Sequence, residues 1–474
     1  MATVDEPTPV TYNLYNTLTG AYIDSLPLRG VTFSGGPINQ YGSFQGYFDL
    51  EAPLNREFNW IQATSPTKTT LIVDYEGLIM WGGAISGRKE TFGSSGFQLE
   101  IDAQEGWAWW NQVMQATDYS APPYSGITGN STPMPYWNYA NGTSSVTNGG
   151  MTVSEPYIWD PMLIAAQVIT DTLAVSTQNI YGGMAVNLNG YQVNGGSPDY
   201  GAAYRGSMIT GRTPTPADNF ISITFPYPSL QLLSAMLSQL QALGFTVGFD
   251  GAIDYNYVTP MEPASGIQAT VNLTYPYRGV AVGAQQYLLG GEINRLSINC
   301  NRAFEWSFPE DGTMTASTVY ETGGNQDIVV RQNVYPVTES GDNPYPYPNT
   351  ARVFNIANLN SPDPTNLLTN MAKSDLNLYS WPPVSPYIIV DMFDSDVGIE
   401  QFVVGDQIIT TVPQFGQDGY VFDPRFPTGF QASWRIISYD ATVGDDGNCT
   451  LKINLDTPPA DGTGVQTPML YPNS

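Results

Sequence analysis

Histidine is absent from all 474 residues. Imidazole is the one side chain whose ordinary pKa lies near neutrality, so its absence removes Ser-His-Asp and Cys-His nucleophile systems and the commonest zinc ligand sets. Basic residues are scarce: 16 Lys and Arg stand against 43 Asp and Glu, for a formal net charge of −27. Such a chain repels DNA phosphates and anionic lipid, whose binding relies on Lys and Arg displacing counterions, so stable DNA binding is not expected. Cysteine is limited to Cys300 and Cys449, which lie far apart and outside any CxxC spacing or disulfide framework. They read as small buried residues of a reducing compartment, with a disulfide between them as the lesser alternative. No apolar run approaches the roughly 20 residues of a membrane-crossing helix, and the polar, acidic stretch from Met1 to Pro9 is wrong for a secretory signal. The expectation is a soluble protein made in a cytoplasm.

What fills the space left by charge is glycine, proline and aromatics. Charged residues make up 12% of the chain, while 47 Gly, 37 Pro and 30 Tyr are present. A hydrophobic content of 42% supports a packed core, and the whole reads as β-rich and turn-rich. At roughly 150 residues per domain the length suggests about three units.

The first hundred residues read as consecutive short strands at 21–26, 31–34, 44–50, 70–75, 78–81, 81–85 and 97–101, with Tyr75-Glu76-Gly77-Leu78 as a tight hairpin. Strands of this number and spacing make a barrel or sandwich. Helical periodicity is expected at 105–114, 160–176, 229–243 and 364–379, and a hairpin at 245–257. Further strands are expected at 288–308, 327–334, 387–391, 407–412, 431–439 and 449–455. The fold class is therefore mainly β with a few helices: a first β-block over 1–115, a loop-rich and helix-bearing insertion over 116–285, and a second β-block with a connecting helix over 286–474.

Candidates for chemistry are few. The acidic runs Asp391 to Asp396 and Asp445 to Asn448 are short of the oxygen ligands of a calcium loop, and solvated turns are the default reading. A pair of carboxylates working as a glycosidase acid and base is left open only by the abundance of acids. Gly82-Gly83 and Gly35-Gly36 lack the lysine and helix of a phosphate loop and read as turn or bulge positions. Trp107, Trp109 and Trp110 read as closing the first barrel's core. Tyr119, Tyr124, Tyr136, Trp137 and Tyr139 form a possible contact surface for sugars or proteins, against the plainer reading that they pin a long loop to its own barrel. No cofactor or metal is implied.

Three stretches carry a resemblance: Tyr22 to Phe33 with its Leu-Pro-Leu-Arg-Gly-Val run, Trp60 to Val73 with Thr-Ser-Pro-Thr-Lys-Thr, and Ile79 to Arg88 with Met-Trp-Gly-Gly. Together they resemble the minor tail proteins of long-tailed actinobacterial phages, a family similar to baseplate hub proteins built from tail-tube-like barrels. Phe402 to Ile408 is similar to that family's element before its last strands. The resemblance implies a non-enzymatic virion protein of a siphovirus-like tail tip, a hub that forms a trimer of two tail-tube-like barrels per chain and encloses the DNA channel. Its expected partners are the distal tail protein, tail tube, tape measure protein and a tail fibre or spike. Pro27, Gly30, Trp81, Gly82 and Gly83 are the implied scaffold positions of the first barrel, and Gly405 and Asp406 those of a turn in the second. Part of the negative charge is expected to line the channel and repel passing DNA. Rival readings are a hexameric distal tail ring, a receptor or cell-wall glycan binder using 119–150, and a wall-degrading hydrolase.

Overall fold

In a computed structural model of the chain, the residues described are 10–36, 41–51, 59–93, 96–112, 114–115, 144–148, 151–155, 185–189, 231–232, 250–274, 295–309, 318–323, 328–333, 351–356, 384–402, 406–413, 429–445 and 447–456, with the single positions 313, 316, 365, 368, 369, 372 and 404. The protein is mostly β-sheet with few helices.

The first block holds β1 (Val10–Asn16), β2 (Tyr22–Leu26), β3 (Arg29–Gly35), β4 (Ser43–Asp49), a four-residue helix α1 (Trp60–Ala63), β5 (Thr69–Tyr75), β6 (Leu78–Gly93) and β7 (Gly96–Glu105). The 5–6 turn is the expected hairpin. Glu76 and Gly77 take φ of 50° and 91°, the left-handed pair of a two-residue turn that matches strand twist, and Asp74 Oδ1 accepts the Gly77 N–H at 3.1 Å. The two stretches read separately around Trp81 are one continuous strand, β6. The strands pair antiparallel in the order β3-β4-β7-β6-β5-β1-β2. This sheet curls on itself, because side chains from strands far apart in the ladder meet inside it. Tyr12 of β1 packs edge-on to Phe44 of β4 with ring centroids 6.1 Å apart, and Trp81 of β6 lies 6.4 Å from Phe33 of β3.

After β7, residues Gly106–Asn111 form a 3-10 helix in place of the α-turn expected over 105–114; Trp110 is buried there. The middle of the chain contributes β8 (Met114–Gln115), β9 (Ser144–Asn148), β10 (Met151–Glu155), β11 (Ala185–Asn189), β12 (Gln231–Leu232), β13 (Asp250–Tyr257) and β14 (Ile267–Thr274). β12 pairs with β8, so the helix expected over 229–243 does not include Gln231 and Leu232. The hairpin expected within 245–257 is instead β13 paired with β14 across a longer connection. The helix expected over 160–176 lies outside the described residues.

The second block adds β15 (Arg295–Asn299), β16 (Glu305–Ser307), β17 (Thr318–Gly323), β18 (Ile328–Asn333), β19 (Ala351–Ile356), β20 (Tyr387–Asp391), β21 (Gln407–Val412), β22 (Phe430–Val443) and β23 (Cys449–Asp456). Strands β17, β18 and β19 form a separate small sheet, against which the helical residue Ala372 packs beside Val319. The others continue the main sheet as β16-β20-β23-β22, with β21 and β15 joined to the first half of β22. The second half of β22 pairs antiparallel with β3, Tyr439 opposite Gly35 through Val443 opposite Val31. Expected as two barrels, the blocks thus share one 13-stranded sheet and one hydrophobic core running from Leu14 and Trp81 to Trp434 and Ile453. Among the described residues, no helix is long and apolar enough to cross a membrane.

Candidate functional site: the seam and the docked hairpin

Two surfaces organise the described part of the molecule: the β22–β3 seam between the blocks, and the outer face of β1, β5 and β6, which the β13–β14 hairpin covers. The seam is built by close approach. A Cβ at Gly35 would fall 2.2 Å from the Tyr439 ring, so the missing side chain is what lets that ring lie across β3. Tyr439 also meets Phe33 and Phe402 edge-on, and burial followed by the nearby Glu105 charge pushes its phenol up. At one end of the seam the Tyr75 and Phe393 rings stack with centroids 4.0 Å apart.

Gly30, singled out as a scaffold position, sits at a register shift in β3 with φ of 55°, a backbone state that favours glycine. Its N–H donates to Asp445 Oδ1 at 2.9 Å. That acid belongs to one of the runs tested for a cation, and it serves the seam instead. Pro27 is exposed at the corner between β2 and β3, where the flanking Leu26 and Leu28 turn into the core. Trp81 is buried and its indole N–H donates to the Ser34 carbonyl at 2.9 Å, tying β6 to β3 across the curl.

Gly82 and Gly83 are not turn or bulge residues. They lie inside β6, paired with Ile72 and Leu71 of β5. A Cβ on Gly82 would stand 2.5 Å from the Tyr255 ring, and one on Gly83 would stand 2.3 Å from the Gln104 carbonyl oxygen. Gly82 therefore admits the docked hairpin, and Gly83 admits the neighbouring strand. Around Tyr255 cluster Tyr15, Ile72, Ile267 and Ala269, with Trp109 packed against them. Trp109 thus serves the hairpin interface, whereas it was expected in the barrel core; of the Trp107 side chain nothing is described.

Polar contacts pin the same hairpin. Tyr257 Oη donates to Asp74 Oδ2 at 2.6 Å and accepts from Asn13 Nδ2 at 3.3 Å. Tyr15 Oη donates to the Pro263 carbonyl at 2.9 Å, and the Ile267 N–H donates to the Gly20 carbonyl at 2.8 Å. Asp74 is only 4% exposed, and a buried carboxylate is tolerable because Thr11, Gly77 and Tyr257 all donate to it. Burial, then the hydrogen bond to Asp74, raise the Tyr257 phenol, so it stays a donor.

Glu105 closes the β3–β4 connection. Its Oε2 accepts the Gly42 N–H at 2.5 Å and the Gly36 N–H at 3.4 Å. Burial outweighs those two bonds and pushes the carboxyl up to about 7. The Asp391 to Asp396 run is likewise occupied from within: Asp394 Oδ1 accepts the Asp396 and Val397 N–H groups, and Arg302 bridges Asp394 and Asp396. No group of three or more acidic or cysteine ligands fit to hold a metal occurs among the described residues. Cys300 and Cys449 are both free and buried, and burial pushes the Cys300 thiol up to about 12.

Asp406 is buried just before β21, its carbonyl accepting the Ile436 N–H at 2.9 Å. Gly405 lies outside the described residues, as do Tyr119, Tyr124, Tyr136, Trp137 and Tyr139. Sequence reasoning missed Asp74, Glu105, Tyr255, Tyr257 and Tyr439; their partners lie 63 or more residues away in most cases, and only the glycines opposite the tyrosines hint at them. What the arrangement does chemically is hold surfaces together. Its polar groups are turned onto backbone amides and tyrosine hydroxyls.

No protein-family model matches the chain, and no curated protein matches it in sequence. Solved structures do match. The 43 kDa tail protein of prophage MuSo2 from Shewanella oneidensis aligns over 96% of this chain and 99% of its own at 9% identity, with a TM-score of 0.50. The tail protein from Neisseria meningitidis aligns over 97% and 99% at 11% identity, with a TM-score of 0.49. A prophage tail protein from Listeria monocytogenes aligns over 94% of each chain at 10% identity and a TM-score of 0.42. At these identities the likeness is one of fold, and the Shewanella comparison carries it: this chain shares the arrangement of a prophage tail protein from end to end.

Proposed function

We propose that the protein is a structural virion component of a phage tail, and that it sits at the tail tip as the hub of a siphovirus-like particle. The observation that supports a tail role is the end-to-end likeness to the MuSo2 tail protein. A match over 96% of this chain includes both blocks and what lies between them, so the shared feature is the whole arrangement rather than one common barrel. The hub reading goes further. Two blocks are joined in each chain through β22 and β3; on this reading each block takes one place in a ring, and three chains would supply six around a channel. On this reading residues 1–115 and 286–474 form the ring that meets the tail tube or distal tail protein, with the tape measure protein inside, and 116–285 faces the fibre or spike. The protein acts by geometry, without catalysis, and is assembled in the host cytoplasm.

Cryo-electron microscopy of the intact tail tests this. Three copies in a ring at the tip, below the tube, are expected. Six copies in a ring above the tip, or copies only along lateral fibres, would replace the hub with the distal ring or a receptor-binding protein.

A further inference from the structure

One outer face of the first block is covered by the β13–β14 hairpin. The other, formed by β3, β4 and β7, carries no docked element among the described residues and runs without a break onto β22. Phe33, Phe44, Ala103 and Ala441 point inward from these strands into the core, so the residues between them point outward. Register sets those outward side chains in two rows. In one, Asp440 of β22 stands opposite Ser34 of β3, whose Oγ accepts the Ser43 N–H of β4 at 3.0 Å, and Ser43 stands opposite Gln104 of β7. In the other, Thr442 faces Thr32, Thr32 faces Gln45, and Gln45 faces Asp102. Together they line a groove of about 610 Å³.

The groove has a definite chemistry. Every outward side chain in it is a hydroxyl, an amide or a carboxylate, and no Lys or Arg lines it among the described residues. Its two carboxylates occupy diagonally opposite corners, three strand spacings apart across the sheet and two residues apart along it, or roughly 16 Å. Burial, then the Glu100 charge, already hold the Asp102 carboxyl above its usual range, so a cation there would relieve it. Lys89, further along β6, is turned to Glu100 at 3.8 Å; Lys452, opposite Asp440 on β23, is turned over the Tyr387 ring, and Asp440 Oδ2 accepts from Asn454 Nδ2 at 3.1 Å, which leaves its Oδ1 toward the groove. Nucleic acid is disfavoured by both carboxylates and by the net charge. A sugar would need an aromatic or apolar platform, and the two rings beneath the groove, Phe33 and Phe44, are turned into the core.

We propose that this groove seats an extended segment of a partner protein bearing two lysines or arginines about four residues apart. An extended chain rises roughly 3.3 Å per residue, so four residues cover about 13 Å with both side chains on one face, and the long flexible stems of lysine or arginine reach across the remaining few ångströms to the carboxylates. The hydroxyls and amides between them serve the segment's backbone. The inference goes beyond the hub reading and stands without it, since any partner with such a segment would suffice.

Calorimetric titration of the full chain with the peptide acetyl-Lys-Gly-Ser-Gly-Lys-amide tests it. Binding that weakens with added salt is expected, about tenfold poorer in D102N/D440N and unchanged in E90Q/E262Q, which removes two exposed acids elsewhere. S34K, which places a lysine inside the groove, abolishes binding while leaving the melting temperature near that of the wild type. A wild-type chain that ignores the peptide, or equal loss in D102N/D440N and E90Q/E262Q, overturns the proposal. So does tighter binding of a short DNA duplex or of maltopentaose than of the peptide.

Discussion

The two blocks solve the same packing problem and differ in what lies outside them. Each wraps its part of the common sheet around a buried tryptophan whose indole N–H is satisfied within its own block: Trp81 on the Ser34 carbonyl at 2.9 Å, Trp434 on Thr410 Oγ1 at 2.8 Å. Strand β23 of the second block is buried at every other residue, and its outer side keeps wet contacts such as Lys452 over the Tyr387 ring at 4.6 Å. Strand β5 of the first block is buried at six consecutive positions, because the core takes Leu71 and Val73 while the docked hairpin takes Ile72. The outer side of β23 stays half-buried, with no docked hairpin on it among the described residues, and the outer side of β5 has become an interface. The difference lies in Gly82, Tyr255 and Tyr257 rather than in the strands.

The largest effect tests whether the blocks are one unit. Trp434 is fully buried in the shared core, and W434A should cost about 3–5 kcal/mol. Hydrogen exchange reads how that loss spreads. If the blocks unfold together, amides of β5 lose as much protection as those of β23. A protected β5 beside an exchanging β23 would show two independent domains.

Next comes Glu105, whose carboxyl is raised from 4.5 to about 7 in the fold. A carboxyl raised on folding favours the protonated state, so its contribution is fully present below pH 4.5 and is lost as pH rises through 7. The change is on the order of 3 kcal/mol at 1.36 kcal/mol per pH unit. Between pH 5 and pH 8 the wild type should therefore lose stability relative to E105Q, which stays neutral. Denaturant unfolding at the two pH values measures this, and parallel curves for the two proteins would remove Glu105 as a titrating group at the seam.

The contrast between blocks also decides what could be read in advance. Where one face stays wet, alternation is legible, and Tyr387–Asp391 and Gln407–Val412 fall where their residues place them. β1 went unread because its alternation is gone: Asn13 is buried under the hairpin, hydrogen-bonded to Tyr257, while Tyr12 and Leu14 fill the core. Gly82 and Gly83 were legible as special, but not for the right reason, since a glycine that admits a ring looks the same in sequence as one that makes a turn. The β3–β22 ladder joins residues about 400 positions apart, and no local pattern encodes such a partner. The scaffold glycine Gly30 was legible, and its acceptor Asp445 was not.

Tyr257 bears on the covered face alone. Y257F removes the 2.6 Å bond to Asp74 and leaves that buried carboxylate with Thr11 and Gly77 as donors. Loss of a hydrogen bond to a charged group should cost about 1.5–3 kcal/mol, felt as loosening of the hairpin. Limited proteolysis should open the 258–266 connection in Y257F before any strand of the second block exchanges. Simultaneous loss in both blocks would mean that the hairpin is part of the common core.

The smallest effect belongs to the seam's edge. Asp445 reaches Gly30 across an exposed turn at 2.9 Å, and such a bond is worth about 1 kcal/mol because water competes for both partners. D445A should lower stability by about that amount and D445N by less, since the amide oxygen still accepts. The informative reading is local: exchange of the Gly30 amide should accelerate in D445A while the Tyr439 and Val443 amides of β22 keep their protection. If those amides were released as well, the seam would depend on its rim. Tyr439 lying over Gly35 argues the opposite, that ring packing at the centre joins the two blocks and the acidic turn only fixes the register at which they meet.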